Sequence, residues 1–424
     1  MVTRRVSEDF RGFLANAAGY QYTQLQKTDV LCPTALSTWQ QALPNEPIFM
    51  SQNSFFRIVD AAANRTAEGL RVAEDVMRMH LNDRHLAKQL KQLRHDLTEA
   101  LANLPAANSI AARDSVGDVG RNLQVKQEYD RSTDDKTTER RNSYFDPILI
   151  ANFKRAQQAL RSLEEFLKTE SESVAKAIEQ IRYRSYTLEK ACRLALRSDK
   201  TFDAVSIYVL IDGCQWNETC QAQESQLTVD RWQETQLAKT VRALVEAEID
   251  FIQLRDKTLS DRQLTAAGRV IAELTRDTPT SFIMNDRADI AIACSADGVH
   301  VGQEELSVAD ARRILGPDKW IGVSTHSLDQ AQAAVLAGAD YIGVGPVFAS
   351  QTKSFSQHKG PELVQQVYSE VSLPAFAIGG IDLDNADQIA AAGCGRVAVT
   401  AVFAKAPLEQ YGQIASKLRT QLGG

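Results

Sequence analysis

Residues 282–301 read FIMNDRADIAIACSADGVHV. A short apolar run, 282–284, breaks at the polar Asn285-Asp286-Arg287; an amphipathic stretch then leads to Cys294, and Gly298 to Val301 is apolar again. A strand, a helix and a second strand in so short a span require the two strands to run the same way, because the helix carries the chain back to the starting edge. The alternation continues on both sides, with strand cores at 207–211, 251–254, 320–323, 341–344, 375–378 and 397–400, each followed by a helical stretch. These eight strand-helix units predict an α/β fold, a closed (β/α)8 TIM barrel over residues 206–424. An open doubly wound sheet is the alternative. It is disfavoured because polar motifs follow nearly every strand, as they do around the single rim of a barrel.

Upstream the period changes. Leu86, Leu90, Leu93, Leu97, Leu101 and Leu104 keep one helical face apolar up to Pro105; Phe153, Ala156, Leu160, Leu163 and Leu167 do so after Pro147, and Val174, Ile178, Ile181, Leu188 and Leu194 follow. With the 55–81 stretch they predict four helices, an all-α bundle over residues 54–198. The 108–146 connection is polar and long for a compact domain. Residues 1–53 have no period and hold Pro33, Pro44 and Pro47 among polar residues, so they are expected to be flexible, and 199–205 is expected to be a linker.

A chain of 424 residues is too long for one core. Its 44% hydrophobic and 24% charged residues exclude collagen-like, coiled-coil and wholly disordered classes. A net charge of −6 argues against nucleic acid as a partner, since such binding neutralises phosphates with a basic surface. No apolar run approaches the roughly 18 residues of a membrane span. The first residues mix Arg4, Arg5 and Arg11 with Glu8 and Asp9 without an apolar core, so a cytoplasmic location is expected. The six cysteines form no C-x-x-C pair and the six histidines no zinc spacing, which excludes a disulfide framework and a transition-metal site.

In a (β/α)8 barrel the reactive groups stand after the C-terminal ends of the strands. After the second strand, alternation puts Gln253, Arg255 and Lys257 on one side of Gln253-Leu254-Arg255-Asp256-Lys257. Two cations and an amide converging there suit a polyphosphate; a solvated strand end with an Arg255/Asp256 pair is the plainer reading. Asp286 and Glu305 offer hard oxygens from neighbouring loops, the usual means of holding Mg²⁺ against a phosphate, although Asp286 also suits a helix cap. Ser324 supplies a hydroxyl after the fifth strand. The long polar loop with Ser350, Gln351, Thr352 and Lys353 suits a phosphate-contacting lid. Gly379-Gly380 and Thr400-Ala401 let backbone N–H groups close on a phosphate. Jointly these motifs predict two phosphorylated small-molecule substrates, one held with a metal.

The strings QLRDK, NDR, ADGVHVGQEEL, GVSTHS, YIGVGPVFASQTK and AIGGI resemble the thiamine-phosphate synthase family in order and spacing over the whole barrel. The resemblance implies a transferase that joins 4-amino-5-hydroxymethyl-2-methylpyrimidine diphosphate to the thiazole phosphate, 4-methyl-5-(2-phosphoethyl)thiazole in its carboxylate form, releasing pyrophosphate. It implies that the diphosphate and pyrimidine are bound by Gln253, Leu254, Arg255, Asp256, Lys257, Asn285, Ser324 and Lys353. One Mg²⁺ is implied on Asp286 and Glu305, and the thiazole phosphate on Ser350, Gln351, Thr352, Gly379, Gly380 and the Thr400/Ala401 backbone. A pyrimidine with an electron-donating amino group can lose pyrophosphate to leave a stabilised cation. Arg255, Lys257, Lys353 and Ser324 are accordingly the implied catalytic groups, and no nucleophile is required. The family more often has Asp where Glu305 stands, and Ser where Ala401 stands. A phosphosugar epimerase on the same fold is the rival reading; that chemistry wants an acid-base carboxylate or lysine, or metal-binding histidines, and QLRDK with Asp286 and Glu305 suits a diphosphate better.

In the helical half, Asn64, Arg65, Glu68, Arg71 and Asp75 recur at helical spacing, which fits either a salt-bridged solvated face or a binding face. Arg113, Asp114 and Asp118 lie in a charged, glycine-containing string that suits a phosphate or a turn. NRTAEGLRVAED and RDSVGDVG resemble a helical domain fused ahead of some bacterial thiamine-phosphate synthases and linked to phosphorylation of hydroxymethylpyrimidine phosphate. The resemblance implies a kinase using ATP, although the sequence has no G-x-x-x-x-G-K-[ST] loop from which ATP binding follows. The competing reading is a non-catalytic scaffold or dimerisation module, which would make the protein a homo-oligomer.

Overall fold

The computed structural model describes residues 52–102, 104, 144–212, 235–349 and 358–423. The chain divides into the units Met1–Gln52 and Asn53–Gly424. Of residues 1–53, expected to be flexible, 1–51 lie outside the described residues, as does nearly all of the 108–146 connection, whereas Gln52 and Asn53 open the first helix.

The helical half is built from α1 (Gln52–Met79), α2 (Arg84–Leu101), α3 (Phe145–Leu167) and α4 (Glu172–Thr201). α2 forms where its leucines predicted: Leu86, Leu90, Leu93 and Leu97 are buried, and Asp83 caps the start by accepting from the Leu86 N–H at 2.7 Å. In α3, Pro147 sits in the first turn, where its missing N–H is no loss. A Cβ at Gly69 would stand 2.6 Å from the Asn152 carbonyl, so glycine lets α1 and α3 approach closely. Buried charges are paired: Glu74 takes Arg94, and Glu164 takes Arg182, Arg161 and Lys168.

Eight parallel strands follow, β1 (Ile207–Ile211), β2 (Phe251–Leu254), β3 (Ser281–Asn285), β4 (Gly298–Val301), β5 (Trp320–Thr325), β6 (Tyr341–Val344), β7 (Ala375–Ile378) and β8 (Val397–Val399). They close in sequence order, β8 pairing with β1 through Ile207↔Val397 and Val209↔Val399, which excludes the open sheet. Helices alternate with them, among them α5 (Gln236–Glu246), α6 (Asp261–Thr275), α7 (Ala288–Ala293), α8 (Val308–Leu315), α9 (Leu328–Ala337), α10 (Gly360–Glu370), α11 (Ala386–Ala391), α12 (Ala401–Ala404) and α13 (Tyr411–Leu422). At the N-terminal face an aspartate just before β2, β4 and β6 ties down the preceding strand. Asp250 accepts from the Ser206 and Ile207 N–H groups, Asp297 from Phe282 and Asp340 from Ile321. These acids belong to the end of the barrel that carries stability rather than chemistry.

Residues 199–205 are not a linker. α4 runs on to Thr201, and the next residue, Phe202, is fully buried. Its ring stacks on Phe251 at 5.4 Å and lies 5.6 Å from Tyr341 and 5.4 Å from Trp320, while its carbonyl accepts from Arg396 Nε and Nη2. The barrel interior needs an aromatic plug at this end, and the helical half supplies it. The two halves are also pinned at Asp83, whose second carboxylate oxygen accepts from Ser372 N–H and Oγ at 3.0 and 2.8 Å, and at Glu370, which pairs with Lys88.

Truncating Phe202 leaves a ring-sized void in both halves' shared packing. Phe202→Ala is expected to lower the stability of the full chain by about 3–5 kcal/mol in denaturant unfolding; a loss below about 1 kcal/mol would show that the ring is not holding the barrel floor.

Candidate active site

A cavity of about 350 Å³ opens at the C-terminal ends of the strands. Strand parity decides who enters it. Gln253, Arg255 and Lys257 line it, whereas Leu254 points into the surrounding apolar core. Asp256 also stays out. Burial opposes its charge, but the Thr258 N–H, the Thr258 hydroxyl and the Leu259 N–H, at 2.7, 2.8 and 3.0 Å, outweigh that and hold its carboxyl below the usual range. Leu254 and Asp256, expected as substrate ligands, are therefore a core residue and a loop-shaping residue.

Asp286 stands with φ +60°, its N–H given to the His300 carbonyl at 2.8 Å, and its carboxylate lines the cavity. It caps no helix; Arg287 occupies the cap position of α7 and makes its ion pairs outside with Asp261 and Asp289. Glu305 lines the cavity beside it. A Cβ at Gly302 would meet the Glu305 carboxylate at 2.3 Å, so the bare glycine makes room for that side chain. Burial and then the Glu305 charge lift the Asp286 carboxyl above the ordinary aspartate range, while Lys257 and Arg255 draw it partly back. Two carboxylates straining against each other beside two cations fit a divalent cation that also contacts a substrate phosphate. Among the described residues no cluster of three or more His, Cys, Asp or Glu forms a complete metal cage.

Asn285 and Ser324 line the same cavity. On the far wall the Val347 and Phe348 N–H groups bond to the Ile378 and Gly379 carbonyls, laying the β6 loop against Gly379-Gly380. Gly380, at φ +64°, is pressed so close that a Cβ would stand 2.3 Å from the Ala349 carbonyl. Thr400 and Ala401 begin α12 and complete that wall. Ser350, Gln351, Thr352 and Lys353 lie outside the described residues, as do Arg113, Asp114 and Asp118.

On α1, Asn64, Arg65, Glu68 and Arg71 are exposed and Asp75 is half-buried. Asp75 takes Arg71 and Arg78, and Asn64 donates to Asp60. They share one outward stripe, opposite the buried Thr66, Gly69, Leu70 and Ala73.

The cavity also holds residues not expected there as ligands: Tyr208, His300, Asp212, His326, Asp382 and Lys405. His300 had a signal, as a polar residue at the inward register of an otherwise apolar strand. Tyr208 had none, because tyrosine is common in strands for packing alone.

A cation-and-carboxylate cavity at the C-terminal rim of a closed (β/α)8 barrel defines the class, a barrel enzyme built around charged small molecules. Residues 226–403 match the family model described as thiamine monophosphate synthase, and residues 57–191 match the ThiD2 family. A thiamine-phosphate synthase of Rhodopirellula baltica is 41% identical over 82% of this chain and 88% of its own length; one of Synechocystis is 38% identical over 82% and 91%. A thiamine phosphate pyrophosphorylase structure from Pyrococcus furiosus is 29% identical, covering 54% of this chain and 98% of its own, with a TM-score of 0.43. The chain belongs to the thiamine-phosphate synthase family and is a transferase, carrying a ThiD2-family domain ahead of the barrel. Among the described residues no helix is long and apolar enough to cross a membrane.

A carboxyl raised in the folded state holds its proton more tightly there than in the unfolded chain. Its charge therefore costs stability above its folded pKa and nothing below the ordinary aspartate value of about 4. Asp286→Asn is expected to raise the denaturation midpoint at neutral pH and to leave it unchanged at about pH 3. A variant less stable than the parent at neutral pH would contradict the strained pair.

Proposed function

We propose that the barrel forms thiamine phosphate from 4-amino-5-hydroxymethyl-2-methylpyrimidine diphosphate and a thiazole phosphate. The supporting observation is that Arg255 and Lys257 stand on one strand end facing the Asp286/Glu305 pair across a single cavity. Arg255 and Lys257 take the diphosphate and neutralise the charge that grows on it as its C–O bond breaks; the thiazole nitrogen then forms the new C–N bond. Lys353 joins them in this reading. When bound between Asp286 and Glu305, Mg²⁺ supplies further neutralisation of the diphosphate. Gln253, Asn285 and Ser324 orient the pyrimidine, and the Gly379-Gly380 and Thr400-Ala401 backbone, with Ser350, Gln351 and Thr352, holds the thiazole phosphate away from water.

The ThiD2-family match supports a second activity in the helical half, phosphorylation of the pyrimidine monophosphate by ATP, which would feed the barrel. A purely structural role is the other reading. It is favoured by the pairing of Asp75 with Arg71 and by the Asp83 and Phe202 anchors, which fasten this half to the barrel.

One full-length variant tests both. Lys257→Ala is expected to lose about 10²–10³-fold in thiamine phosphate formation with its fold intact; near-parental turnover would sink the barrel assignment. Supplied with the pyrimidine monophosphate and ATP, the same variant should accumulate the diphosphate if the helical half is a kinase. None forming identifies a scaffold. For the metal, Mg²⁺ with pyrophosphate at ten times its dissociation constant should stabilise the parent by about 1.4 kcal/mol in a thermal shift, and Asp286→Asn or Glu305→Gln should abolish the gain.

A further inference from the structure

Five side chains from five strands form one hydrogen-bonded chain beneath the cavity. Gln253 Nε2 donates to Tyr208 Oη at 2.5 Å, Tyr208 Oη lies 3.0 Å from Tyr341 Oη, Tyr341 Oη lies 3.3 Å from His300 Nδ1, and His300 Nε2 lies 3.0 Å from Ser324 Oγ. We propose that this chain is proton-ordered from Gln253 toward Ser324, so that Tyr208, Tyr341 and His300 are positioning residues that set which hydrogen-bond donor and acceptor the cavity presents.

The order follows from the inventory of protons. An amide N–H only donates, so with Gln253 donating, the Tyr208 hydroxyl must pass its own proton to Tyr341. Both phenols are buried and keep their protons, burial pushing each well above the ordinary tyrosine range. Tyr341 then donates to His300 Nδ1, which must be the bare nitrogen of a neutral imidazole, and the Nε2–H donates to Ser324 Oγ. Two groups are left for the cavity, both on residues that line it: the Gln253 carbonyl oxygen as an acceptor and the Ser324 O–H as a donor. That pair is complementary to a ring bearing an exocyclic amino group and a ring nitrogen that accepts. An oxo group in place of the amino group meets the acceptor with another acceptor.

The surroundings hold the chain in place. Tyr208 and Tyr341 pack on Phe251 and Phe376 with centroids 5.3–5.9 Å apart. Gly322 on β5 leaves the gap the junction needs, since a Cβ there would stand 2.1 Å from the Tyr341 ring and 2.4 Å from His300 Nδ1.

The proposal rests on the aminopyrimidine reading above for its ligand but not for its proton order, and its test separates the two. In full-length protein labelled with ¹⁵N-histidine and free of substrate, a two-bond nitrogen-proton correlation, assigned with His300→Asn, should show His300 protonated on Nε2 alone. Tyr341→Phe removes the donor to Nδ1 and should give mixed tautomers; Tyr208→Phe, one link further back, should do the same and serves if Tyr341→Phe does not fold. Both variants should raise KM for the pyrimidine diphosphate about tenfold while leaving KM for the thiazole phosphate unchanged, and the oxo analogue should not compete. Protonation on Nδ1 in the parent, or a tautomer indifferent to both variants, overturns the proton order. An ordered tautomer with unaffected KM values overturns the ligand assignment instead.

Discussion

A closed barrel of eight short strands has an interior that side chains must fill completely, and the inward register of every strand is bound by that requirement. Here the filling is a layer of aromatic rings contributed by Phe202, Tyr208, Phe251, Tyr341 and Phe376. Its lower side is hydrocarbon. Its upper side carries the two tyrosine hydroxyls, so the same rings that close the core begin the polar floor of the cavity. Packing and chemistry meet within one side chain, and the tyrosines serve both because they combine a large apolar body with one hydrogen-bonding tip.

That layer also explains why the helical half is more than an appendage. Phe202 belongs to the layer by position and to α4 by covalent continuity, its N–H still bonded to the Ser198 carbonyl as the helix ends. The remaining attachments are polar and directional. Asp83 is both the cap of α2 and the acceptor for Ser372, just ahead of β7, the strand that leads to Gly379-Gly380. A fully buried carboxylate that finds three donors is satisfied only when both halves are in place.

At the rim, charge is arranged by the same alternation that fills the core. Arg255 and Lys257 face inward because Gln253 does, and Asp256 between them turns to its own loop. Asp286 and Glu305 come from separate connections and are brought together only by the adjacency of β3 and β4. Burial first, and then the Glu305 charge, raise the Asp286 carboxyl, while Lys257 and Arg255 partly offset them.

Much of this was legible in the residues. Short apolar runs located the strands, which the closed barrel buries on both faces, and the helical period located the helices, where burial of one face imposes it. Parity along QLRDK separated Gln253, Arg255 and Lys257 from their neighbours. Sequence alone left undecided whether Asp286 capped a helix or faced a cavity, and its expectation of a linker at 199–205 missed the end of α4 and the buried Phe202. It also gave no sign that Tyr208, Tyr341 and His300 meet. Those three come from strands far apart in the chain, and nothing local ties one to another; only closure of the barrel sets their hydroxyls and imidazole within hydrogen-bonding reach. Local pattern determines which side of an element a residue occupies, whereas the partner on that side is chosen by chain topology, and that is a property of the tertiary structure.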